Sequence, residues 1–435
     1  MKKKIIALLK NRDIINYIWV GIGQNISAVL QLVSLFILIK AVGHVGNGII
    51  IVVQTYWFLV SDLLSLQTLP GVIKYLSDSI VAKRYDLAKQ YIKIGYIIDL
   101  SVGVIAIIVG LLSISIISKL LDWNNEVVVI LYIFTPVVIF KPALNGTSAA
   151  ILRYLEHFKT LSKLNIAAGF LRLLLYSIVL LFSPNIFYFA FAEVFVEFVH
   201  FFSIFIISII IAQKNTSLNG FSKVKISYQK EFIKFNIYNG LSLTSDLSLG
   251  HVSNLIVNRV LGFEIISIYR VFEKTIGIFT RVTAPISQIV YPKMVAFISE
   301  NRFKKARIIT IKYMLFVIGI GIIIFPIVFF TYDLWMRFFI TEPKKYIIPF
   351  VLFYVFTFLI MGTDLIHLLN MSLGKVKEAM IISVVINVFY ISILYWIISK
   401  YYLTGFILLK IIQLIIVVLV KIFIINKHTK LTKNN

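Results

Sequence analysis

Apolar residues in this chain come in long runs, broken by short polar ones. Twelve runs read as membrane spans: 14–39, 47–69, 94–118, 127–147, 162–183, 187–211, 233–258, 263–291, 310–331, 346–370, 378–399 and 402–425. Each can cross a hydrocarbon core of ~30 Å at ~1.5 Å per residue. The pattern predicts an all-α integral membrane fold of about twelve transmembrane helices.

The polar positions inside those runs carry the chemical information. Span eight, GFEIISIYRVFEKTIGIFTRVTAPISQIVYP over 262–292, holds Arg270, Glu273, Lys274 and Arg281. At about 100° per residue, Arg270, Lys274, Arg281 and Gln288 fall within roughly 40° of one another. Each mid-membrane cation costs on the order of 2.5–3.5 kcal/mol, so three facing lipid would cost roughly 8–10 kcal/mol. Their face must therefore look onto protein or a water-filled cavity. A structural ion pair of Glu273 with Arg270 or Lys274 neutralises one of the three.

Other spans carry fewer such positions. In span seven, Asn239, Asp246 and Ser253 recur every seven residues and share a face with Ser242. In span six, Glu193, Glu197 and His200 lie at i, i+4 and i+7, a spacing that fits a proton or cation relay or a pairing of Glu197 with Arg172 in span five. Asp364 and His367 stand one turn apart in span ten. Asp62, Asp99, Lys141 and Lys410 are single charges in spans two, three, four and twelve. Lys141 lies between Pro136 and Pro142 and reads as a snorkelling, structural lysine.

Composition narrows the class. The chain is 60% hydrophobic and has no cysteine, so thiolate metal sites and disulfides are ruled out. Its mean hydropathy of +0.94 is that of a polytopic membrane protein. Met1–Lys4 resembles a signal n-region, but Ile5–Leu9 is too short for the apolar part, so the N-terminus is expected to be retained. The formal charge of +24 suggests nucleic acid at first sight. Its placement argues otherwise. Lysine and arginine concentrate in alternate loops, such as Lys83, Arg84, Lys89 and Lys93, or Arg302, Lys304, Lys305 and Arg307. That is the positive-inside asymmetry, and it places both termini in the cytoplasm and the cations beside anionic lipid headgroups. No nucleic-acid partner is expected. Two cytoplasmic stretches, Ile73–Tyr91 and Lys293–Ile308, have amphipathic spacing and read as surface helices, each after a proline (Pro70, Pro292) that ends the preceding span.

The halves repeat. Gly21 and Gly240, Lys40 and Arg259, and Gly43 and Gly262 are each separated by 219 positions. Gln54 and Asp62 correspond by the same offset to Glu273 and Arg281. RYDLAKQ at 84–90 matches RFKKARI at 302–308 one residue out of register. These pairs imply two six-helix lobes, 1–211 and 233–435, joined by a basic cytoplasmic linker at 212–232. Both lobes start inside, so the repeat is parallel, and such repeats place a substrate path between them.

Several classes are disfavoured. No Walker A sequence is present, and GIG at 21–23 and 319–321 reads as helix-packing glycine. Loops are too short for a membrane glycosyltransferase or polymerase, and no paired carboxylates lie outside. The expectation is a transporter, not an enzyme, without a resident cofactor or metal. A coupling proton, a sodium ion or the membrane potential would drive it.

The span layout, the repeated basic stretch after spans two and eight, LNGTSAAILRYLEHFK at 144–159 and LLNMSLGKVKEA at 368–379 together resemble a polysaccharide flippase of the multidrug/oligosaccharidyl-lipid/polysaccharide (MOP) superfamily, of the Wzx-like O-antigen type. The resemblance covers essentially the whole chain. It implies a central cavity lined by spans 1, 2, 7 and 8, and alternating access. It also implies an undecaprenyl-diphosphate-linked oligosaccharide as substrate, in the bacterial inner membrane, with polysaccharide-assembly proteins as possible partners. On that pattern Arg270, Lys274 and Arg281 would attract the diphosphate. Asp62 stands where strongly cationic members would carry a cation. A multidrug antiporter of the same superfamily is the alternative, and it would favour an anionic cavity.

Overall fold

The structure, a computed structural model, describes residues 12–244, 248–300, 302–373 and 376–431. Those residues form helices and turns only: α1 (Arg12–Leu64), α2 (Thr68–Val81), α3 (Tyr85–Leu120), α4 (Asn125–Tyr154), α5 (Phe158–Phe182), α6 (Ile186–Lys214), α7 (Lys230–Thr244), α8 (Ser253–Ser299), α9 (Phe303–Met336), α10 (Ile347–Ser372) and α11 (Val376–Leu431). A π-helical turn, Ser248–Val252, precedes α8. Among the described residues, seven helices are long and apolar enough to cross a membrane. The chain is a multi-pass membrane protein.

Three helices are too long for one crossing. A straight helix of 53 residues such as α1 would reach about 80 Å, against a core of ~30 Å. It breaks at Gly43 (φ 70°, ψ −177°), a backbone region open in practice to glycine alone. The 47-residue α8 breaks at Gly262 with nearly the same angles, φ 85° and ψ 178°. These are the two glycines the sequence repeat pairs, so the repeat extends to backbone conformation. The 56-residue α11 breaks at Tyr402 (φ 52°, ψ −146°) without the help of a glycine. Each break falls at the boundary between two of the twelve expected spans.

The repeat recurs one turn further on. Arg84 caps the start of α3 at φ −95°, ψ 67°, and its N–H donates to Ser79 at 2.8 Å. Arg302 caps α9 at φ −91°, ψ 48°, and its N–H donates to Phe297 at 2.7 Å.

Two local expectations are corrected. Ile73–Tyr91 is not one surface helix. α2 ends at Val81, Lys83 takes φ 57°, and Tyr85 already begins α3. Pro70 sits in the first turn of α2, where its missing N–H removes no helical bond, and the preceding span has ended at Leu64. Pro292 does not end span eight either, because α8 continues through it to Ser299. A proline's fixed φ is compatible with helix, and only one backbone bond is lost.

The chain divides into two compact units, Met1–Leu247 and Ser248–Asn435. In the first, α1 packs on α5, and α4 on α3 and α6. Leu218 and Phe221, between α6 and α7, are buried with Leu76, Ile92 and Ile151. Phe232 of α7 packs edge-to-face with Tyr75 and at a tilt against Tyr91. The basic segment 212–232 is thus anchored through its apolar residues. In the second unit α10 packs on α8, α9 and α11, around Tyr269, Phe353 and Phe406.

Candidate functional site

The polar chemistry of the first unit is concentrated where α5 meets α6. Arg172 and Tyr176 are one turn apart on α5, and Glu193 and Glu197 one turn apart on α6. Arg172 Nε lies 2.8 Å from Glu193 Oε2, and its Nη2 lies 3.0 Å from Glu193 Oε1 and 2.7 Å from Glu197 Oε1. The Tyr176 hydroxyl donates to Glu193 at 2.9 Å, and Gln54 donates to the same carboxylate at 3.0 Å. The sequence spacing suggested Glu197 as the partner of Arg172. The guanidinium fork in fact holds both glutamates. One turn on, His200 Nε2 meets Asn165 Oδ1 at 3.0 Å.

Two more carboxylates in this unit have partners that periodicity could not reveal. Lys141 Nζ donates to Asp62 at 2.8 Å and lies 4.5 Å from the Phe58 ring centroid. Lys141 therefore turns to a protein carboxylate where snorkelling was expected. Asp99, buried in α3, accepts from the Thr68 hydroxyl at 2.5 Å, the Thr147 N–H at 2.7 Å and the Thr147 hydroxyl at 2.6 Å. This fixes the first residue of α2 against α3 and α4. Thr147 lies in the LNGTSAA motif, but nothing in its spacing points to Asp99.

In the second unit, Arg270 Nη1 bonds Glu273 Oε2 at 2.9 Å across one turn of α8. Lys274 and Arg281 are partly buried along the same helix. Lys410 of α11 is buried at 5% exposure and donates to the Tyr269 hydroxyl at 2.8 Å. Aromatic rings surround its ammonium, with centroids at 4.6 Å for Phe406, 5.0 Å for Tyr269 and 5.9 Å for Phe356. Aromatic faces stabilise a cation held in this way. No sequence pattern marked Tyr269 or Phe406 as its partners.

Ser253 is fully buried, with its hydroxyl 3.2 Å from that of Tyr390. The π-helical turn at 248–252 interrupts the α-period from which the Asn239, Asp246 and Ser253 stripe was inferred. Asp246 lies outside the described residues, as do the side chains of Asn239, Ser242 and Gln288. Asp364 and His367 are exposed on α10, and Lys421 Nζ stands 3.3 Å from His367 Nδ1. Among the described residues, no group of three or more His, Asp or Glu side chains is arranged to hold a metal ion.

No known family model matches the chain. The Escherichia coli (strain K12) inner membrane protein YghQ is 22% identical over 158 residues, which is 36% of this chain and 44% of that protein. The chain thus spans under half the length of that relative. Among solved structures, an inward-facing multidrug resistance MATE family transporter of the MOP superfamily superposes with a TM-score of 0.77 at 13% identity, over 96% of this chain and 99% of that one. A MOP superfamily transporter from Pyrococcus furiosus, described as having a binding pocket of reversed polarity, gives 0.68 at 14% identity over 96% and 95%. The chain has the fold of these transporters over nearly its full length.

Proposed function

We propose that this chain, built on the MOP transporter fold, is a flippase for an anionic, lipid-linked glycan precursor and works by alternating access. The observation that supports an anionic substrate is the charge of α8. Residues 270–281 hold three cations and one carboxylate, and that carboxylate, Glu273, is bonded to Arg270. With Lys274 and Arg281 counted beside that pair, residues 270–281 carry a net charge of +2, the sign that a diphosphate needs. A low-dielectric surrounding strengthens such attraction over its value in water. Arg281 can hold two phosphate oxygens with parallel bonds, whereas Lys274 acts as a point charge. Arg270, tied to Glu273, sets the position of that carboxylate.

The coupling reading for the first unit is a proton or cation taken up where Glu193 and Glu197 share Arg172. The loop charges support cytoplasmic termini, and a reporter fused after Asn435 that is active only in the periplasm is expected to stay silent.

The test of substrate is surface polysaccharide in a strain lacking the gene, complemented by variants confirmed to insert normally. Lys274→Ala with Arg281→Ala is expected to abolish export and to accumulate lipid-linked repeat units. Wild-type export from that double variant would sink the proposal. A second reading, a multidrug antiporter, is favoured by the multidrug transporters among the structures of like fold. Raised drug susceptibility in the deletion strain with polysaccharide unchanged would select it.

A further inference from the structure

The turn between α2 and α3 borders a cavity of about 760 Å³ outside the membrane spans. Lys83, Arg84 and Lys89 line it together with Thr216 and Ser217 from the segment after α6. Asp86 is the acid on its wall, so the lining is cationic by three to one. The hydroxyls come from a segment fixed in place by the buried Leu218 and Phe221. The hydroxyl-bearing wall of the cavity is therefore held in place by packing.

The second unit supplies an internal control. Its matching turn starts α9 with Arg302 in the same backbone conformation as Arg84. There Arg302 is bonded to Glu300 at 2.9 Å. The residue that corresponds to Glu300 before Arg84 is Ala82. The position equivalent to Glu300 thus carries no acid in the first unit, and Arg84 there lines the cavity with Asp86 as its acid.

We propose that this cavity binds the phosphate of an anionic membrane lipid. Phosphate is the group that three cations and two hydroxyls recognise together. The surroundings favour a lipid as its source. Val81 is 81% exposed and Tyr85 43% exposed beside the cations, the mixture that settles at a headgroup boundary. The proposal is independent of the transported substrate.

The experiment uses the purified full-length chain in zwitterionic micelles, with phosphatidylglycerol titrated in and retained lipid counted by native mass spectrometry. The wild-type chain is expected to keep one phosphatidylglycerol in preference to phosphatidylcholine. The variant K83Q/R84Q/K89Q should weaken that binding by on the order of 100-fold, given roughly 1 kcal/mol per surface cation. The charge-matched variant R302Q/K304Q/K305Q should leave it unchanged. Equal loss in both variants would mean diffuse surface charge only, and would overturn the site. Inorganic phosphate that displaces the lipid at millimolar concentration, or protects the chain against heating as well as the lipid does, would overturn the lipid as source. Lys83 and Arg84 are exposed and Lys89 is half-buried, and a matched melting temperature confirms that the variant is folded.

Discussion

The two units handle charge inside the membrane differently. In the first, Arg172 joins Glu193 and Glu197, Lys141 joins Asp62, and Asp99 is enclosed by threonine donors. In the second, Arg270 bonds Glu273, Lys410 donates to Tyr269, and Lys274 and Arg281 follow Arg270 along α8. The described bonds thus pair charges of opposite sign in the first unit, whereas residues 270–281 of the second hold three cations and one carboxylate. Ionisable groups in a bilayer are tolerated when paired or when they serve a site. By that rule the paired charges of the first unit suit architecture or coupling, and the cations of α8 suit the anionic substrate proposed above.

The largest expected effect comes from removing the cation on which the first unit depends. Arg172→Ala leaves two buried carboxylates without their partner and should lower stability by about 3–5 kcal/mol, as seen in thermal unfolding of the purified chain. Adding Glu193→Gln and Glu197→Gln should restore most of it. If the triple variant melts no higher than Arg172→Ala alone, the guanidinium matters for packing and not for charge.

A middle-sized effect tests what the units share. Gly43→Ala and Gly262→Ala should each cost about 1–3 kcal/mol, since both backbones occupy a region that a Cβ disfavours. The two losses should be equal within error. A large inequality would show that one break is held by its neighbours and not by its own glycine.

The smallest effect concerns Asp62 and Lys141, which are partly open to solvent at 18% and 32% side-chain exposure. A double-mutant cycle on Asp62→Asn and Lys141→Met should return a coupling of about 1 kcal/mol or less. A coupling near the Arg172 value would move this pair into the group that holds the unit together.

Much of this plan was legible in the sequence. The apolar runs mark the crossings, because a bilayer leaves a helix few alternatives. The glycine pair at 43 and 262 marks the repeat, since only glycine suits the break. The Arg270–Glu273 bond is within reach of helical spacing. Lys141 and Asp62, 79 positions apart, are not, and neither are Asp99 with Thr147 or Lys410 with Tyr269. Such pairs depend on which helices become neighbours, and periodicity within one helix says nothing about that. The failure at Pro292 has a different origin. Proline was read as a stop, but a helix held by its surroundings can lose one backbone bond and continue.

The breaks at Gly43, Gly262 and Tyr402 also bear on how the chain is made. Each leaves a single residue between its two arms. Nothing at such a tip can serve as a tether while the second arm is still being synthesised. The arms of α1 are expected to enter the bilayer together, with Lys40 crossing just ahead of the tip. Paired insertion of the flanking arms is therefore the expected outcome at those three places, with the two arms and not the single span as the unit.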